Sequence, residues 1–117
     1  MEIQCRQFFQ LLSDDTRLRS LLLIHQEGEL CVCELVHALG VIQPKVSRHL
    51  AALRDYGVVA GRRSGQWIYY RLHPNLPDWA RQVFDATASE TAEREPYVND
   101  LAALAQMPNR PGAARCA

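Results

Sequence analysis

No stretch of the 117-residue sequence approaches the roughly 18 consecutive apolar residues that a membrane-spanning helix needs, so no membrane partner is expected. The opening MEIQCRQFFQLL lacks a basic region leading into a long apolar core, which argues against a secretory signal and for a cytoplasmic location. GxSxG, a phosphate-binding glycine loop and HExxH are all missing, and the acidic residues do not gather around a histidine in a recognisable spacing. Those gaps set catalysis aside, and no organic cofactor is called for. Internal repeats and an interdomain linker are missing as well. A length of 117 residues with 48% hydrophobic content suits one globular domain of ordinary size. Cysteine is scarce, at four residues, and in a reducing compartment these are thiols rather than disulfides.

Net charge is also zero, but its distribution is uneven. Residues 1–40 carry a net −3, residues 41–73 a net +5 and residues 74–117 a net −2. The basic middle coincides with LCVCELVHALGVIQPKVSRHLAAL, residues 30–53, which holds two apolar helical patterns broken at Gly40. In the second pattern Val46, Leu50 and Leu53 share one helix face, while Lys45, Arg48, His49 and Ala52 share another. Two short helices joined by a tight glycine turn read as a helix-turn-helix, whose second helix places its N-terminal residues at base edges in the DNA major groove. Gln43, Lys45, Ser47, Arg48 and His49 are therefore the expected contacts, with double-stranded DNA as the partner.

The rest of the chain fits around this motif. Residues 3–12 read as a helix with Ile3, Phe8, Leu11 and Leu12 inward, and Ser13-Asp14 offers an N-cap for a second helix that stops at Gly28. Pro44 suits the first turn of the reading helix and Gly57 its end. VVAGRRSGQWIYYRL then predicts a two-stranded hairpin turning at Ser64-Gly65, a wing whose tip presents Arg62, Arg63 and Gln66 to DNA. Asn75 and Pro77 open a helix to about Glu93, and Tyr97, Leu101 and Leu104 mark a weaker last one. The expected fold is mainly α with a β-hairpin wing. Residues 1–95 form the DNA-binding and dimerisation domain, and residues 96–117 a weak helix and a mobile tail from Pro108. Phe8, Phe9 and Trp79 are expected to be exposed and to pack against a second copy, giving a homodimer with reading helices about one DNA turn (~34 Å) apart.

Cys31-Val32-Cys33 stands at the start of the first helix of the motif. On a regular helix positions i and i+2 point about 200° apart, so both sulfurs grip one ion only if this stretch is extended or distorts. A helix N-terminus lowers a cysteine pKa, so thiolate is the expected form, and thiolates select soft or thiophilic partners: trivalent arsenic, antimony, cadmium or lead. The plain alternative is a pair of buried structural cysteines. Oxidation of the pair is a second sensing chemistry, disfavoured by the strain of so short a disulfide loop. His37, four residues past Cys33, suggests a mixed zinc site only weakly. Cys5 and Cys116 are isolated in sequence.

ELCVCEL, followed by QPKVSRHLAALRDYGVV and RRSGQWIYYRL, closely resembles the ArsR family of winged-helix, metalloid-responsive repressors over roughly residues 5–93, most of all its arsenical-resistance branch. The resemblance implies a homodimer on its own operator that is released when arsenite or antimonite binds the thiolates of Cys31 and Cys33. Cadmium, lead or zinc response in the same fold is the alternative. One departure stands out: the best-known branch has a third cysteine three residues past the second, where this chain has Val36. The third ligand is then Cys5, Cys116, or a solvent or small-thiol ligand, unless a methylated arsenical needs only two sulfurs. Relatives that bind zinc through histidines on the penultimate helix have no counterpart here, because residues 77–94 contain no His.

Overall fold

A computed structural model describes residues 3–111. Among them the elements run α1 (Cys5–Leu12), α2 (Asp15–Glu27), β1 (Leu30–Cys31), α3 (Val32–Leu39), α4 (Gln43–Asp55), β2 (Val59–Ser64), β3 (Trp67–Leu72), α5 (Asp78–Thr91) and α6 (Tyr97–Ala105). The boundaries follow local chemistry. Asp14 caps α2 by accepting the Arg17 N–H at 3.0 Å, and Gly28 ends it at φ 90°. Gly40 turns the chain between α3 and α4 in the left-handed region, φ 66°, which a residue with a Cβ reaches only at a cost. Pro44 occupies the first turn of α4, where no backbone donor is needed.

Val46, Leu50 and Leu53 are completely buried against the remaining core, each contributing about 1.5–3 kcal/mol of apolar burial. That face fixes the roll of α4 and turns Lys45 and Arg48 to solvent. The expected helix-turn-helix is thus present, with both helices where the periodicity placed them.

Three antiparallel strands lie in the order β1-β3-β2. The hairpin is as predicted except for its turn: Ser64 still pairs with Trp67, so the two-residue loop is Gly65-Gln66, with Gly65 at φ 62°. The third strand, β1, was not anticipated. It pairs Leu30 with Tyr70 and Cys31 with Tyr69.

Two other expectations change. Phe8 is not exposed: it lies fully buried, its ring 5.1 Å from Trp79, 5.5 Å from Phe9 and 5.5 Å from Phe84 in edge-to-face contacts. Phe9 and Trp79 remain 48% and 37% exposed, so a bulky apolar surface does survive there. The weak C-terminal pattern forms a full helix, α6, tethered to α2 by a two-bond ion pair in which Arg19 Nε and Nη2 donate to the two Asp100 carboxylate oxygens at 2.9 and 2.6 Å. Beyond it Arg110 reaches back to Glu27 and Glu34, so the stretch from Pro108 begins docked on the body. The end of that stretch, with Cys116, lies outside the described residues.

Candidate thiol site and nucleic-acid interface

Cys31 is the last residue of β1 and the N-cap of α3, extended at φ −87° and ψ 165°, while Cys33 lies inside the first turn of α3. The extended-to-helical break therefore falls between the two cysteines, and it removes the divergence a continuous helix would impose. The Cys33 thiol lies near enough to act on the Cys31 thiol, and the helix between Val32 and Leu39 is regular. A capping box holds this corner: the Cys31 sulfur accepts the Glu34 N–H, and Glu34 Oε1 accepts the Cys31 N–H at 2.9 Å.

Burial decides the protonation state here. Cys31 is fully buried, and its thiol is pushed from an ordinary 9.0 up to about 12, first by burial and then by the neighbouring Cys33, against a lowering from the Glu34 N–H. The expectation of a ready-made thiolate is corrected for this residue: loss of solvation outweighs the helix N-terminus. Cys33 is half-buried and Cys5 is exposed on α1. His37 is exposed, and among the described residues no group of three or more His, Cys, Asp or Glu side chains is assembled that could hold a metal ion, so the mixed zinc site is not formed.

On the other side of the motif Gln43, Lys45 and Arg48 are exposed along the first turns of α4, with Ser47 half-buried beside them. His49 differs. It turns back onto the α1–α2 corner, with Nδ1 3.3 Å from Arg17 Nη1 and Nε2 3.7 Å from Asp14. Burial lowers its pKa, opposed by Asp14 and reinforced by Arg17, Lys45 and Arg48. These contacts join α4 to the α1–α2 corner. Sequence reasoning passed over Ile42, which is 71% exposed at the N-cap of α4 and can offer an apolar contact to a thymine methyl.

In the wing, Arg63 and Gln66 are exposed at the tip. Arg62 donates through Nε and Nη2 to the two oxygens of Glu29, at 2.8 and 2.7 Å, and lies 4.8 Å above the Tyr69 ring. Glu29 immediately precedes β1, and Tyr69 pairs with Cys31 on one side and with Arg62 on the other. The thiol corner and the wing are consecutive parts of one sheet.

An exposed basic helix face beside a basic hairpin, built on a core that fixes both, defines a winged helix-turn-helix DNA-binding protein. The comparisons make the class particular. Residues 14–60 match the family model for bacterial regulatory proteins of the arsR family. An arsenic resistance transcriptional regulator of Pseudomonas putida is 52% identical over 103 residues, covering 88% of this chain and 79% of that protein. Among solved structures, an antimony-specific transcriptional repressor superposes with a TM-score of 0.62 at 31% identity, covering 75% of this chain and 77% of that one. A homodimeric winged helix-turn-helix DNA-binding domain from Mycobacterium bovis superposes at 0.60 with 27% identity over 79% and 82% of the two chains. This chain belongs to the arsR family, and it is a transcriptional regulator, not an enzyme. Among the described residues no helix is long and apolar enough to cross a membrane.

Proposed function

We propose that the protein is a cytoplasmic repressor that holds operator DNA as a homodimer and releases it when trivalent arsenic or antimony bonds to Cys31 and Cys33. The observation that carries this reading is the thiol pair at the strand–helix break, joined through α3 to the reading helix and through β1 to the wing. Gln43, Lys45, Ser47 and Arg48 are the contacts of the reading helix, and Arg62, Arg63 and Gln66 those of the wing. His49 supports the former from behind. Phe9 and Trp79 form the surface that a second copy covers.

Protonated thiols suit this ligand. Arsenous acid exchanges a hydroxyl for each thiol: one As–S bond forms, one As–O bond breaks, and the thiol proton leaves with the hydroxyl as water. A ligand that binds the DNA-free arrangement of the corner better than the DNA-bound one weakens DNA binding by the same coupling free energy. The remaining arsenic position goes to Cys5, Cys116 or a hydroxyl. X-ray absorption on the arsenite-loaded full chain, compared with Cys5→Ser and Cys116→Ser, identifies it by the variant that loses one sulfur neighbour. Arsenite that frees the operator from a Cys31→Ser, Cys33→Ser double variant overturns the proposal.

A further inference from the structure

Glu34 is a carboxylate with no exposure at all, and both its oxygens are committed: Oε1 to the Cys31 N–H at 2.9 Å and Oε2 to Arg110 Nε at 2.5 Å. Arg110 comes from beyond α6 and also holds Glu27, at the end of α2, through Nη2 at 2.8 Å. It is itself largely covered, with 21% of its side chain exposed, and the ion pair spans 76 positions of sequence. We propose that Arg110 is a positioning residue of the thiol site: acting through Glu34, it sets the geometry of the Cys31–Cys33 pair.

One chain of contacts links Arg110 to the two cysteines. The Cys31 N–H bond to Glu34 keeps residue 31 extended, and that extended residue is what keeps the helix from continuing back through both cysteines. A buried carboxylate stays in place only while it is paired and hydrogen-bonded. Arg110 supplies the counter-charge, with Glu27 holding the guanidinium from its other side. Without Arg110, Glu34 rotates toward water and releases the Cys31 N–H. The two sulfurs then have to be brought together by the arsenic itself, and affinity falls.

The inference rests on the thiol-site reading, and a double-mutant cycle on the full chain separates the two. Arsenite is titrated calorimetrically into the parent, Arg110→Ala, Glu34→Gln and the double variant. Removing Arg110 from the parent is expected to weaken binding about tenfold or more, the size of a lost charge-assisted hydrogen bond. In the Glu34→Gln background the same removal is expected to change binding less than about twofold, because a neutral amide still accepts the Cys31 N–H and needs no counter-charge. Arg110→Lys recovers part of the loss and reports on the site if Arg110→Ala does not fold. An equal loss in both backgrounds, or no loss in the parent, overturns the inference. A parent that takes up no arsenite through sulfur overturns the thiol-site reading itself.

Discussion

Cys31 has two duties, and two substitutions separate them. It is the buried N-cap of α3, accepting the Glu34 N–H, and it is one of the two proposed arsenic ligands. Serine keeps the first duty and loses the second, since a hydroxyl caps a helix at least as well as a thiol but does not hold trivalent arsenic in its place. Alanine loses both. Cys31→Ser is therefore expected to fold within about 1 kcal/mol of the parent, its hydroxyl satisfied by the Glu34 N–H. Cys31→Ala leaves that buried N–H without its acceptor and should fall about 1 kcal/mol below the serine variant. For a chain of this length that difference is a shift in Tm of about 4 °C, read by circular dichroism at matched protein concentration because a dimer's Tm depends on it. Operator affinity, followed by fluorescence anisotropy, should stay near the parent's for the serine variant. Added arsenite should release DNA from the parent alone. Equal Tm values for the two variants would remove the capping role, and normal release from Cys31→Ser would remove the ligand role.

Other consequences can be read off the same contacts. Arg48→Ala should weaken operator binding by about 1–3 kcal/mol, roughly 5- to 150-fold, if Arg48 makes a bidentate base contact; an unchanged anisotropy titration takes it out of the interface. Asp100→Ala removes the two-bond partner of the Arg19 guanidinium, which is 16% exposed and keeps only Asp15 and the Leu39 carbonyl, and should cost about 1–3 kcal/mol; a urea midpoint within error of the parent's refutes it. The raised Cys31 pKa favours the protonated form in the native state, so its contribution to stability is complete below pH 9.0 and is lost as pH rises from there toward about 12. Urea unfolding from pH 7 to 11 should show the parent losing stability more steeply than Cys31→Ser, and parallel curves would contradict this.

Most of the architecture was legible because it is written locally. Val46, Leu50 and Leu53 repeat at helical spacing, Ser13-Asp14 and Gly40 mark helix ends by their own chemistry, and the alternation in WIYYRL announces a strand. What escaped was written at long range or in very few residues. Leu30–Cys31 is too short a strand to show any period and is created by its partner, β3. The burial that keeps Cys31 protonated belongs to the packed core rather than to its position at a helix start. Nothing in the sequence linked Glu34 to an arginine in the stretch expected to be mobile. Helical spacing groups Phe8 with Leu11 and Leu12, its bulk suggested a dimer surface, and the packing of Phe84 and Trp79 settles it inward while its neighbour Phe9 stays out. The hairpin turn slipped by one residue because Ser64-Gly65 and Gly65-Gln66 both supply the glycine the loop needs.

The central strand of the sheet carries a consequence for anyone building a biosensor from this chain. Tyr69 borders the proposed ligand-bearing edge on one flank and the Glu29-paired Arg62 of the wing on the other, so substitutions along Trp67–Leu72 should act as a tuning dial. Dose-response midpoints should be adjustable from that ribbon while the sulfurs and the base-reading side chains keep their native identities.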